Sequence, residues 1–448
     1  MQRDSIDFEK GNVRQLFHGI FIPTLLGMLG MSAVTAVDGI FVGHTVGSEG
    51  LAAINILVPV FMLLTGLGLM IGMGCSVVAS VHLSEGNEKA ARLNVTQAMI
   101  FITLVTLLII VPMLLFPDAT GRLFGSSEQL LPLVREYLIW NFPSCLFLVW
   151  EAVALFVIRL DGSPKFAMTC HLVTAALNVV LDWCFMFPLG WGVKGAAFAT
   201  AISITVGGLI AMTYMAFYAK TLYFVRIKSS MKSVRLSIRN IGYQCRIGFS
   251  ALLGEATMAV LIFMGNLMFM RYIGDDGVGA YGIVCYYTPF IFMVGNAIAQ
   301  SAQPIISFNL GLRRHDRICE TERTALQTAI LCGLAVSLIF GLFPEYMVEL
   351  FVSDDSHAAQ IAIQGFPYFA LGFIPFILNL TAVGYFQSVE RMYPATLFAI
   401  SRGFILLIPS FLLLPLLLAD KGIWLAMPVS EWLSICIIGC FYLYRRSK

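Results

Sequence analysis

The chain has 448 residues, of which 58% are hydrophobic and only 12% charged. Soluble globular domains are about 45–50% apolar and roughly 25% charged, so a soluble enzyme or binding domain is excluded and a polytopic membrane protein is expected. The net charge of +2, from 28 Lys and Arg against 26 Asp and Glu, names no partner; the lipid bilayer is the expected surrounding, and no nucleic acid is expected.

A membrane-crossing helix needs about 20 mostly apolar residues. In chain order, hydrophobic runs fall near 16–42, 51–81, 93–117, 130–158, 166–187, 193–219, 243–272, 279–308, 324–343, 357–388, 393–418 and 422–444. The polar stretch before the first run is too long for the basic head of a signal peptide, and no small-residue cleavage site follows, so residues 16–42 are expected to be a retained helix. Pro23, Pro59, Pro289, Pro304 and Pro375 lie inside runs and are candidate kinks. The ten cysteines form no CxxC pair. Cys436 and Cys440, four apart on an apolar run, read as packing residues.

The connections alternate in charge. "SEGNEKAAR" (84–92), "RLDGSPK" (159–165), residues 220–246, "GLRRHDR" (311–317), "ERM" (390–392) and the tail "RRSK" hold most of the bases. "GHTVGSEG", "PDATGRLFGSSEQ", "PLGWGVKG", "GDDGVG", "VSDDS" and "ADKG" hold few bases and several acids. By the positive-inside rule the first set is cytoplasmic, which places both termini inside and fits twelve spans without an exception.

The most basic stretch, "KTLYFVRIKSSMKSVRLSIRN" (220–240), divides the chain near its midpoint. Turn residues recur on either side of it at one offset, 254 − 27 = 227, where "LLG" meets "LLG". At the same offset "GSEG" (47–50) meets "GDDG" (274–277), "FP" (116–117) meets "FP" (343–344), "LFGS" (123–126) meets "LFVS" (350–353) and "VKG" (193–195) meets "DKG" (420–422). The expected fold is therefore an all-α polytopic membrane protein. Its twelve transmembrane helices form two six-helix bundles related by a pseudo-two-fold axis along the membrane normal. The lobes are expected at 1–219 and 243–448, joined by a basic cytoplasmic linker at 220–242.

Polar groups at membrane depth are costly and mark candidate sites. Asp38 stands some six residues, ~9 Å, from the outer end of the first run. On the fifth run Asn178 and Asp182 share one face by their i, i+4 spacing, and Thr200 on the sixth lies at similar depth. These four oxygen-bearing side chains suit a hard cation such as Na⁺, and the carboxylate pair equally suits a proton. The bland alternatives are solvation of Asp182 near the interface, a backbone bond for Asn178 and helix packing for Thr200. In the second half, Glu255 and Glu431 are buried acids, and either can pair with Arg402 as a structural bridge or serve a substrate or ion. Glu151, in "LVWEAVALF", has no obvious partner and is a candidate contact for a cationic substrate. With 21 Met and 35 Phe, a cavity lined by soft and aromatic groups would take varied apolar cations. No nucleotide-binding, hydrolase or channel-filter motif is present, so no enzyme activity and no cofactor are expected, and energy would come from an ion gradient.

"AVDGIFVGHTVGSEGLAAINILVP", "LSEGNEKAAR", "IRLDGSPKFAM" and, most specifically, "ALNVVLDWCFMFPLGWGVKGAAFATAIS" resemble the multidrug and toxic compound extrusion (MATE) family over essentially the whole chain. The resemblance implies a V-shaped pair of lobes around a large cavity. It also implies an antiporter that exports cationic lipophilic compounds in exchange for H⁺ or Na⁺. In one branch a first-helix Asp, a fifth-helix Asn and Asp and a sixth-helix Thr form an N-lobe cation site; these fall on Asp38, Asn178, Asp182 and Thr200. The other branch uses a seventh-helix Glu, matched by Glu255, and a tenth-helix Asp. The tenth run has no acid, which favours coupling in the N-lobe. The expected protein is a monomeric antiporter of the cell (inner) membrane. A flippase for lipid-linked sugars would need more cavity bases than Arg402, and a non-transporting scaffold or receptor would not need membrane-depth acids on three helices.

Overall fold

The computed structural model describes residues 7–46, 48–227, 230–350 and 357–446. Gly47 of "GSEG", the "VSDDS" connection with most of "LFVS", Lys228 and Ser229 of the basic linker, and the last two residues of "RRSK" lie outside the described residues.

Among the described residues, twelve candidate spanning segments make up most of the fold. They are α1 (Val13–Thr45), α2 (Ser48–Ser84), α3 (Glu88–Leu115), α4 (Leu131–Leu160), α5 (Pro164–Met186) and α6 (Gly192–Thr213). The second six are α7 (Met231–Tyr272), α8 (Asp275–Gly311), α9 (His315–Leu342), α10 (His357–Ala370 and Phe373–Ser388), α11 (Met392–Leu418) and α12 (Asp420–Arg446). Among the described residues there is no strand. Eleven helices are long and apolar enough to cross a membrane, and the bent pair of α10 makes a twelfth.

Local chemistry sets the ends. Asn12 caps α1, its side chain accepting from the Gln15 N–H at 3.2 Å. In the "EGN" turn Gly86 adopts φ +74° and Asn87 then caps α3, accepting from the Ala90 N–H. In "DGSP" Gly162 adopts φ +85° and Pro164 opens α5, where a missing N–H costs nothing. Pro23, Pro59, Pro289 and Pro304 sit inside unbroken helices, whereas Pro375 follows a real break. The two pieces of α10 meet at 48° around Leu371–Gly372, and Pro375 lies in the first turn of the second piece. Cys436 and Cys440 correct the packing expectation, for both are on the exposed face of α12.

The chain forms two compact units, residues 1–252 with 307–315, and residues 253–306 with 316–448. The first boundary falls inside α7, which starts well before the hydrophobic run at 243. Its first turns are amphipathic and hold to α3 by polar contacts. Gln97 Nε2 donates to Ser237 at 2.8 Å, Asn240 donates to Gln97 at 3.1 Å and Gln244 donates to the Asn94 side chain at 2.9 Å. Ser237, Asn240 and Gln244 recur at helical spacing, so one polar stripe does all three.

The basic linker is strapped to the first unit. Asp161 accepts backbone N–H groups from Thr221 at 3.0 Å and Leu222 at 3.2 Å, and the Tyr214 hydroxyl at 2.9 Å. Arg92 donates to the Thr221 carbonyl at 2.7 Å and stacks 4.1 Å from the Tyr223 ring centre. At the same end, Asn309 donates to the Phe8 carbonyl and Arg314 to the Glu9 carbonyl.

Candidate coupling site

In the first unit α1, α5 and α6 pack together, and the sequence explains which faces meet. On α5, Ala167, Cys170, Thr174, Asn178, Asp182 and Met186 are the buried positions of one stripe, with Trp183 and Val180 exposed. Met186 joins Val42 of α1 and Ala196 of α6 in an apolar cluster, flanked by Phe41 and Ile54. Each of those three stands one helical turn from a polar residue: Val42 from Asp38, Met186 from Asp182 and Ala196 from Thr200. The polar residues therefore form a layer directly beneath an apolar seal.

Within that layer the Asp38 carboxylate faces both the Asp182 carboxylate and the Thr200 hydroxyl. Asn178 Nδ2 donates to Thr200 Oγ1 at 3.4 Å. Asp182 is fully buried and Asn178 nearly so. Among the described residues no donor reaches Oδ1 of Asp38 or either oxygen of Asp182. Ionised together, two carboxylates turned toward one another repel, and a cation or proton placed between them removes the repulsion. The structure thus brings together all four residues expected at this depth. Their donor set fits a hard monovalent cation: two carboxylates, an amide and a hydroxyl. Among the described residues no group of three His, Cys, Asp or Glu side chains is arranged for a metal ion.

Two residues escaped the reading of the sequence. Tyr137 of α4 lies near enough to feel the charges of both aspartates, with Asn141 one turn on. Asn141 is fully buried, its Oδ1 accepts from Ser144 at 3.1 Å and its Nδ2 has no acceptor. The depth test that singled out Asn178 and Asp182, applied to "YLIWNFPS", would have found them.

Glu151 of α4 is 3% exposed, and His171 Nδ1 of α5 is a polar neighbour 3.6 Å from its Oε1, beyond hydrogen-bond distance. In the second unit Arg402 chooses Glu431 and not Glu255. Its Nη2 donates to Glu431 Oε1 at 2.7 Å and its Nε lies 3.2 Å from both oxygens. Asn379 donates to Glu431 Oε2 at 2.5 Å, and the guanidinium stacks 4.7 Å from the Phe376 ring centre. A π-helical turn, Ser401–Leu406, carries Arg402 in the middle of α11. Glu255 is 8% exposed, and its Oε1 has no hydrogen-bond partner among the described residues.

Known proteins share this arrangement of helices. The chain is similar over 446 residues to the multidrug export protein MepA of Staphylococcus aureus, 24% identical, covering 97% of this chain and 94% of that protein. A solved structure of MATE in the straight conformation superposes with a TM-score of 0.88 at 20% identity, covering 98% of this chain and 97% of that one. MATE in the bent conformation superposes at 0.85 and 21% identity, covering 97% and 96%. The family model of MatE matches twice, at residues 23–184 and 251–412. The displacement, 251 − 23 = 228, is one residue from the offset at which the turns repeat in the sequence. Matched on both halves and over well more than half its length, this polytopic membrane chain belongs to the MatE family.

Proposed function

We propose that the chain is a secondary antiporter that exports cationic lipophilic compounds in exchange for H⁺ or Na⁺, coupled through Asp38, Asn178, Asp182 and Thr200. The observation that carries this reading is the pair of facing carboxylates, with Oδ1 of Asp38 and both oxygens of Asp182 lacking a donor, one turn beneath the Val42–Met186–Ala196 seal. Such a pair is stable only with a positive charge nearby, so binding and loss of that charge is an event with a large free-energy change. Asp38 and Asp182 receive the ion, Thr200 donates to Asp38, and Asn178 holds Thr200. Because Asp38 rides on α1, loading the site alters the packing of α1 on α5 and α6. The proposed response is a bend or shift of α1, for which Pro23 leaves one backbone carbonyl free.

The name of the staphylococcal relatives, multidrug export protein, supports export of small molecules. The basic connections 84–92 and 159–165, the linker and residues 311–315 gather at one end of the first unit, since Arg92 and Asp161 both hold Thr221 and Gly311 lies against Ser84. In the proposed reading this is the cytoplasmic end of a protein in the bacterial inner membrane, and the positive-inside rule then puts both termini inside. The protein is proposed to act as a monomer and without a cofactor. A flippase reading loses its one candidate base, because Arg402 is already engaged by Glu431, which Asn379 also holds. The test is ethidium export from proteoliposomes with Na⁺ and H⁺ gradients imposed separately. Export driven by one gradient, and lost in Asp38→Asn at wild-type expression, is expected. Normal export by that variant defeats the reading.

A further inference from the structure

Below the coupling layer, α5 continues as a polar face. His171, Thr174, Asn178 and Asp182 follow at spacings of three, four and four residues, which places them on one side of the helix over ~16 Å. At the far end from Asp182 this face meets a second buried acid. Glu151 of α4 is 3% exposed, and its Oε1 looks at His171 Nδ1 across 3.6 Å, a gap beyond direct hydrogen-bond distance, and neither atom has a hydrogen-bond partner among the described residues. The Thr174 hydroxyl, bonded to the Cys170 carbonyl at 3.0 Å, is also within reach of Glu151.

Two glycines admit this cluster. A Cβ on Gly207 of α6 would collide with Thr174 Oγ1 and lie 2.8 Å from Glu151 Oε2. A Cβ on Gly27 of α1 would lie 3.3 Å from the His171 ring. Gly27 precedes Asp38 by the same eleven residues by which His171 precedes Asp182. One helix, α1, therefore touches both ends of the polar face. The remaining groups around the cluster are Arg159 of α4, whose charge acts on His171, and Cys170 of α5, which feels Glu151.

We propose that Glu151 and His171 form a second proton-holding site, joined to the Asp38–Asp182 pair by the polar face of α5. The inference rests on the coupling role given to that pair and selects H⁺ as the coupling ion. The pair Glu151⁻/His171 carries one negative charge; one added proton makes it neutral, whether it sits on Oε1 or on Nδ1. A proton leaving Asp182 and arriving here is conserved and changes no other bond. Polar groups one turn apart, ~6 Å, are spaced for one bridging water at each step. Motion of α1 at Asp38 changes the packing at Gly27 and so opens or closes the inner end of the same path.

The test uses the full-length protein. Protons released when ethidium is added are counted with a pH dye in weakly buffered detergent solution, and ΔpH-driven export is measured in proteoliposomes. Glu151→Gln and His171→Asn are expected to keep ethidium affinity within about twofold, to release half as many protons or fewer, and to slow export at least about tenfold. Glu151→Asp is expected to recover part of both. Wild-type proton release and export in the Glu151 and His171 variants, with Asp38→Asn inactive, overturns this inference and leaves the coupling site standing. Export by wild type that follows Na⁺ and releases no proton also overturns it. Normal export by Asp38→Asn removes the coupling site itself. If Glu151→Gln does not fold, the His171→Asn and Glu151→Asp variants decide.

Discussion

Replacing Asp182 by Asn tests the coupling layer at its most buried member. The substitution keeps shape and one oxygen ligand but removes a full charge. Two unit charges ~4 Å apart at an effective dielectric near 20 interact by about 4 kcal/mol. Repulsion of that size in the empty pair is what a bound cation relieves, so its loss should weaken cation binding by roughly 10³-fold. Purified wild type and Asp182→Asn would be compared by Na⁺ titration of intrinsic tryptophan fluorescence and by proton uptake, each followed by ethidium export in proteoliposomes. The expected result is a titration moved far to the right and export reduced to the leak rate, with thermal stability unchanged or raised. Removing one of two facing charges cannot destabilise the unloaded layer by electrostatics. Ion affinity unchanged within about threefold, with normal export, would refute the argument.

Glu431→Gln should destabilise the second unit by about 3–5 kcal/mol, read as a lower thermal midpoint in detergent, because it strands the buried Arg402 charge. The double variant Arg402→Met with Glu431→Leu should recover most of that loss. Asp161→Ala should speed tryptic cleavage at Arg226 on a sodium dodecyl sulfate gel, since it frees the strap of backbone bonds from Thr221 and Leu222. Arg122 beside Glu128 holds that carboxyl below its ordinary range, so this pair stabilises above the usual carboxylate range and the gain fades as pH falls through the lowered value. Both groups are exposed, so Glu128→Gln should leave the thermal midpoint unchanged at neutral and mildly acid pH.

The span pattern was legible because hydrophobic length and loop charge act locally, and each can be read without knowing its partner. The start of α7 was not, because residues 231–242 are helical through a polar stripe against α3, and a hydropathy reading sees only a basic linker there. Pro375 announced a kink, but the break falls at Leu371–Gly372, where the preceding helix ends. The residues of the coupling layer were legible because i, i+4 spacing and depth from a helix end are one-dimensional quantities. The His171 partner of Glu151 was not, since the two stand twenty residues apart on helices whose rotation the sequence does not print. The choice between Glu255 and Glu431 likewise waited on the helix packing that brings α12 and Asn379 around Arg402.

The buried acids of this chain differ chiefly in what answers their charge, and that difference separates framework from machinery. Glu431 is met by a guanidinium, an amide and, through Arg402, an aromatic face; nothing remains for a ligand to supply. Asp38 and Asp182 are met mainly by each other and by the Thr200 hydroxyl, while the Asn178 amide of the same layer donates to Thr200. Glu151 stands between, facing one imidazole that can hold or release a proton. A family model that matches both halves makes them versions of one repeat, so the contrast arose on a shared scaffold. In the second unit a complete ion pair locks the packing of α11 on α12. In the first, the proposed function gives the acid pair the opposite part: a packing of α1, α5 and α6 that an arriving cation would change.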